Sequence, residues 1–104
     1  MGKILNKIAE GRVLVSDGAW GTFLHQKGLK ADECPELWNL QHPGDVLEIA
    51  SSYVEAGADI ILTNSFGASP LKLEGYGLEE QTLELNRSAA EISKKAAGNR
   101  ALVM

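Results

Sequence analysis

The amino-acid sequence predicts a parallel α/β fold, and three observations support this class. Short apolar runs rich in Val, Ile and Leu, without polar alternation, are typical of strands that are buried on both faces. Segments in which apolar residues recur at helical spacing lie between these runs. Because strands alternate with helices along the chain, a parallel sheet with right-handed helical crossovers is expected.

Three strands are expected, near residues 12–16, 58–63 and 100–104. We expect them to pair in sequential order, with the two long helices on one side of the sheet. The last run is apolar and strand-like, and a buried parallel strand normally leads into another helix. We therefore expect the chain to be part of a longer domain.

The predicted helices are bounded by proline and glycine. Five segments show helical spacing or length: 2–11, 22–27, 43–57, 71–76 and 78–97. Pro43 suits a first helical turn, and Gly57 suits a helix end. The longest helix begins with glutamates and ends with lysines, which complements its dipole. Residues 29–40 have no clear period and are expected to form a long loop with a turn at 35–38.

Composition limits the classes of partner. The 104 residues carry a net charge of −4 and contain no Lys/Arg run, which makes a nucleic-acid partner unlikely. No apolar run has the length of a bilayer span, so no membrane partner is expected. Cys34 is the single cysteine. An internal disulfide is therefore impossible, which fits a cytoplasmic setting.

Two loops follow the first two predicted strands. Asp17-Gly18-Ala19-Trp20-Gly21-Thr22 follows one, and the run Thr63–Ala68 follows the other. Ligands of parallel α/β proteins collect at the carboxyl ends of strands, so both loops should share one rim. Asp17 could accept hydrogen bonds from an ammonium group while backbone N–H groups bind a carboxylate, as a zwitterion requires. The alternative is that Asp17-Gly18 forms an ordinary turn.

The second loop adds two candidate binding residues, Thr63 and Asn64. Both carry short polar side chains of the kind that contact a small polar ligand. The Asn64 amide can donate and accept, so it could orient a substrate or hold the Asp17 loop. It could equally cap the loop that follows it.

Other candidates have weaker support. Trp20, Trp38 and Tyr53 could wall a pocket, but plain packing is the commoner role for such residues. The spacing of Cys34, His25 and His42 matches no structural zinc pattern, so no metal ligand is assigned in this chain. No catalytic residue is assigned in it either. Neither a G-x-G-x-x-G nor a Walker fingerprint occurs, which argues against nucleotide binding.

Three stretches together give the chain a resemblance to a known family. They are Val15-Ser-Asp-Gly-Ala-Trp-Gly-Thr22, Gly57-Ala-Asp-Ile-Ile-Leu-Thr-Asn-Ser-Phe-Gly-Ala68 and Leu85-Asn-Arg-Ser-Ala-Ala90. The sequence resembles the homocysteine S-methyltransferase family, and within it the homocysteine-binding barrels of the cobalamin-dependent members. The resemblance covers nearly all of the chain.

The resemblance implies a (β/α)8 TIM barrel, of which residues 1–104 would form the N-terminal part: two βα units and the start of the third strand. It implies methyl transfer to the zinc-bound thiolate of homocysteine, giving methionine. Asp17 would bind the amino group, and the amides of Gly18 and Ala19 would bind the carboxylate. The family's zinc ligands are three cysteines in the later half of the barrel, and Cys34 matches none of them.

The sequence says less about which molecule donates the methyl group. Betaine-using relatives carry a tyrosine directly after the phenylalanine of the second loop, where this sequence has Gly67. Methyltetrahydrofolate acting through cobalamin on other modules fits better, and S-methylmethionine stays open. A different class of function is a non-catalytic, truncated barrel that binds a partner, such as the missing barrel portion, or self-associates through its open edge.

Overall fold

A computed structural model describes residues 14–104. The predicted helix at 2–11 and residues 12–13 of the first strand lie outside the described residues. The helices and strands are α1 Trp20–Gln26, α2 Trp38–Gln41, α3 Pro43–Glu55, β1 Ile60–Ile61, α4 Pro70–Glu74, α5 Thr82–Ala97 and β2 Leu102–Val103. Single 3₁₀ turns, Pro35–Leu37 and Glu79–Gln81, precede α2 and α5.

The strands are parallel and in sequential order. In the pairing of β1 with β2, Ile60 lies opposite Leu102 and Ile61 opposite Val103. Ser16 forms a parallel bridge to Ile60, which places the first strand segment beside β1. The predicted order and direction are therefore confirmed.

The strands are shorter than predicted, for a local reason. The Ala58 N–H is bonded to Tyr53 O at the end of α3, and the Leu62 N–H is bonded to the Asp17 carboxylate. These two N–H groups therefore do not form hydrogen bonds to a neighbouring strand. Regular pairing is confined to the residues between them.

The helix α3 follows its predicted bounds closely, whereas α5 ends as predicted but begins at Thr82, because Glu79–Gln81 form a 3₁₀ turn. Pro43 is the first residue of α3, and Gly57, with φ of +100°, follows its end. Gly98, with φ of +51°, follows α5. The prediction of a loop over 29–40 was incomplete, because the expected turn at 35–38 is a 3₁₀ turn that leads directly into α2.

The core lies between α3, α5 and the sheet. Ala50 and Val54 of α3 pack with Ala97 of α5 against the fully buried Ile61. Both helices therefore cover the same face of the strands, as predicted. A second cluster joins α1 and α3 through Leu24, Leu29, Trp38, Val46 and Ile49.

Within residues 14–104, no helix combines the length and apolar character needed to cross a membrane.

Candidate functional site

The Asp17 carboxylate joins the two predicted loops. Its Oδ2 atom accepts hydrogen bonds from Trp20 Nε1 at 2.7 Å and from the Leu62 N–H at 2.9 Å. Its Oδ1 atom accepts a longer bond, of 3.2 Å, from Ser16 Oγ. Asp17 thus does more than form a turn, because it fastens the first loop to the end of β1. Its remaining acceptor capacity lies mainly on Oδ1.

A cavity of about 330 Å³ opens between the two loops. It is lined by Gly18, Trp20, Gly21, Leu24, Pro35, Glu36, Leu62, Thr63, Asn64, Ser65 and Phe66. The first loop forms one wall, and the loop after β1 forms the other. The loops therefore share one rim, as the parallel order of the strands predicted.

The predicted binding residues occupy different places around this cavity. Gly18, Thr63 and Asn64 line it, whereas Asp17 and Ala19 lie beside it in the same loop. The hydroxyl of Thr63 is hydrogen-bonded to that of Ser65. The structure thus brings the five predicted residues to one edge of the sheet, with three of them on the cavity surface.

Tyr53 supports the first loop from α3. Its hydroxyl donates a hydrogen bond of 2.8 Å to Ala19 O. A methyl group added to Gly18 would lie 3.1 Å from the same hydroxyl, so the glycine permits this close approach. Burial raises the pKa of Tyr53, and the negative charge of Asp17 raises it further. Tyr53 therefore positions the loop as well as packing against the core.

Asn64 belongs to a buried pair of amides. Its Nδ2 group donates to Pro35 O at 2.9 Å and to Asn39 Oδ1 at 3.0 Å. Asn39 donates in return to Asn64 O at 2.9 Å and to Leu85 O at 3.2 Å. Asn64 therefore links the loop after β1 to the 3₁₀ turn and to α2, which differs from both structural roles expected for it. Its Oδ1 atom is the part left for a ligand.

Trp20 and Glu36 line the cavity, although neither was among the predicted site residues. Trp20 was treated as packing, but its indole lines the cavity and fixes the Asp17 carboxylate. Glu36 was not considered, although it is only 5% exposed and lines the same cavity. An acidic residue within the otherwise apolar run Cys34-Pro-Glu-Leu-Trp38 was the sequence signal for it.

The residues considered for a metal have separate roles. The buried Cys34 thiol lies 3.5 Å from Glu36 Oε1, His25 Nδ1 donates to Leu29 O at 2.8 Å, and the His42 ring packs on Trp38. Burial raises the pKa of Cys34, and the Glu36 charge adds to that effect. In the described part of the chain, no three His, Cys, Asp or Glu side chains are placed to hold a metal ion. These residues therefore do not fit the zinc site that the resemblance implies.

This arrangement defines a parallel α/β unit with a small-ligand cavity at the carboxyl ends of its strands. The sequence model described as homocysteine S-methyltransferase matches residues 14–103. The chain belongs to the homocysteine S-methyltransferase family.

Relatives and solved structures agree with this family. Methionine synthase from Mycobacterium tuberculosis is 38% identical over 93 residues, and that from Mycobacterium leprae is 37% identical over 101 residues. These matches cover 83% and 90% of this chain. The homocysteine methyltransferase MmuM from Escherichia coli superposes with TM-scores of 0.75 in its oxidised form and 0.76 in its metallated form, at 25% identity.

The chain is short beside these proteins. It spans 8% of the length of either methionine synthase. The structural match covers 95% of this chain but only 38% and 39% of the two MmuM chains.

Proposed function

We propose that this chain supplies the amino-acid-binding rim of an enzyme that transfers a methyl group to the sulfur of homocysteine, giving methionine. Family membership supports the reaction class. The observation that carries the assignment is the cavity between two loops that one carboxylate, Asp17, joins. A small zwitterionic amino acid matches both the size and the polar groups of this rim.

The family resemblance and the positions of the polar atoms support the following roles. Asp17 Oδ1 accepts a hydrogen bond from the substrate ammonium, because Oδ2 is already bonded to two internal donors. The N–H groups of Gly18 and Ala19 bind the carboxylate. Thr63 and Asn64 Oδ1 form the opposite wall and orient the carbon chain. No proton transfer is assigned to these residues.

We further propose that the chain is the N-terminal part of a (β/α)8 barrel, comprising two βα units and the start of the third strand. Sequential parallel strands and the match to over a third of MmuM support this. Zinc, and cobalamin with methyltetrahydrofolate as donor system, are assigned to parts of the protein outside these residues. The reducing, cytoplasmic setting expected from one cysteine agrees with a thiol substrate.

The test is Asp17→Asn in the complete enzyme. The asparagine oxygen can still accept from Trp20, but the negative charge is gone. A charge-assisted hydrogen bond contributes about 1.5–3 kcal/mol, so homocysteine affinity should fall roughly ten- to a hundredfold. Zinc content should stay unchanged, because Asp17 contacts the end of the substrate away from the sulfur.

Asp32→Asn is the matched control, since Asp32 is an exposed acid outside the cavity. Calorimetric titration with homocysteine and metal analysis give both readouts. Unchanged homocysteine binding in the Asp17 variant would show that Asp17 only holds the loop in place and does not bind the substrate. Loss of zinc would place it near the metal instead. Absence of homocysteine binding in the wild-type enzyme would favour the alternative of a non-catalytic binding module.

A further inference from the structure

Glu36 is a buried carboxylate on the cavity wall with little to balance its charge. It lies in the 3₁₀ turn before α2 and is 5% exposed. Its recorded side-chain hydrogen bond comes from the Cys34 thiol, at 3.5 Å. The ion pairs formed within residues 14–104 involve Lys27 and His42, and none reaches Glu36.

A thiol is a weak donor, and a buried carboxylate without a cation is costly. Among the described residues, the cavity walls carry no Lys, Arg or His side chain, and Glu36 is the charged residue that lines them, with the Asp17 carboxylate beside them in the first loop. Lys72 shares an outer groove with Glu36, but its ammonium lies 4.5 Å above the Phe66 ring. The part of the cavity that these residues form is thus anionic and lacks an internal counter-ion.

Gly67 leaves the space that the carboxylate occupies. A methyl group added at Gly67 would lie 2.9 Å from Glu36 Oε1 and 3.4 Å from its Cδ. That contact is too short, and the end of the flexible Glu36 side chain is the part that can move. A side chain at residue 67 would therefore shift the Glu36 carboxylate from its observed position.

We propose that Glu36 is the counter-charge for a positively charged group of the ligand bound in this cavity. This deepens the proposed function and rests on it. Two sources share the required chemistry: the ammonium of the amino-acid acceptor, and a sulfonium or quaternary ammonium that carries the methyl group of a donor. Trp20 adds an aromatic wall, and aromatic faces attract such cations. Glu36 and Gly67 then act together in selecting a cationic ligand.

The experiment is Glu36→Gln in the complete enzyme, titrated calorimetrically with three probes. Homocysteine carries the ammonium, 4-mercaptobutyrate lacks it, and dimethylsulfoniopropionate carries a sulfonium without an ammonium. Glu91→Gln is the matched control, because Glu91 is an exposed glutamate on α5. Glutamine has nearly the same shape as glutamate but no charge, so a loss of binding in the Glu36 variant reports the charge.

Two results would support the proposal. If Glu36 faces the ammonium, Glu36→Gln weakens homocysteine roughly tenfold or more and leaves 4-mercaptobutyrate unchanged. If it faces the donor, the variant weakens dimethylsulfoniopropionate by a similar factor and leaves homocysteine unchanged. Gly67→Ala should reproduce whichever loss occurs, because it displaces the same carboxylate.

Two results would overturn it, in distinguishable ways. If wild type and Glu36→Gln bind homocysteine and the sulfonium equally, Glu36 is not a counter-charge, although the proposed function stands. If the wild-type enzyme binds neither, the proposed function is wrong and the role of Glu36 falls with it. The melting temperature of the ligand-free enzyme separates a structural role: loss of an unpaired buried charge should not lower it, whereas loss of a needed structural contact should.

Discussion

The Asp17 carboxylate links the first loop to the end of β1 and is also the acid that we propose binds the ligand. Two of its internal donors, Trp20 Nε1 and the Leu62 N–H, share one oxygen, which leaves the other oxygen with a single longer bond. The glycines around Asp17 in the sequence indicated a tight strand-end loop that a ligand could approach closely. The partner at Leu62 could not be predicted, because it is 45 residues away and depends on strand register.

Two residues make the free energy of unfolding depend on pH at alkaline values. Burial is the main reason why the pKa values of Cys34 and Tyr53 are raised, and a nearby carboxylate adds to each shift. The unfolded chain therefore loses these protons at lower pH than the folded chain. The contribution of each group to the free energy of unfolding is present at neutral pH. It begins to decline near the pKa of the unfolded chain, about 8.5 for a thiol and about 10 for a phenol, and is lost as the pH rises through the raised pKa of the folded state.

Urea unfolding of the complete domain at pH 7, 9 and 10.5 measures this decline. The double variant Cys34→Ala, Tyr53→Phe removes both groups, so its stability should fall less over the same range. Equal pH dependence in the two proteins would show that neither shift operates in the folded state.

The short segment 35–41 is the element that sequence periodicity could not define. Its helix is only four residues long, and it is anchored by Asn39 to the β1 loop and to α5. Those contacts span 25 and 46 residues, so no local pattern records them. The ends of α3 and α5 were predictable because Pro43, Gly57 and Gly98 determine them locally.

Asn39→Ala should destabilise the protein strongly. The change leaves Asn64 and Leu85 with buried polar groups that have lost a partner, at a cost of about 1–3 kcal/mol for each group. Urea denaturation of the complete domain measures the effect. Asn99→Ala, at an exposed position after α5, should change stability by less than about 0.5 kcal/mol. Equal stability of the two variants would show that the amide pair is not an anchor.

For the whole molecule, strand order, helix placement and the shared rim were all predictable, because alternation of strands and helices constrains a parallel sheet tightly. The cavity itself was predictable only in part. Gly18, Thr63 and Asn64 were identified from the strand-end loops, whereas Glu36 reaches the cavity from the segment before α2. Its contribution depends on the packing of that segment, which the amide pair of Asn39 and Asn64 determines.

The whole chain also leaves apolar surface uncovered. Phe66, Leu71 and Leu83 are 92%, 82% and 72% exposed. In the described residues, β2 pairs only with β1, so its other edge has backbone groups without a strand partner. Open edges and exposed apolar side chains favour association with another chain.

We therefore expect the 104-residue chain, prepared alone, to self-associate or to need the remainder of the domain for solubility. Multi-angle light scattering over a range of concentrations should give a mass that rises above 11.2 kDa. The complete domain is the control, because in the proposed barrel further strands and helices would cover the edge of β2 and the neighbouring apolar surface. A constant monomer mass together with a cooperative thermal transition would contradict this expectation, since it would show that the described core suffices to stabilise the unit on its own.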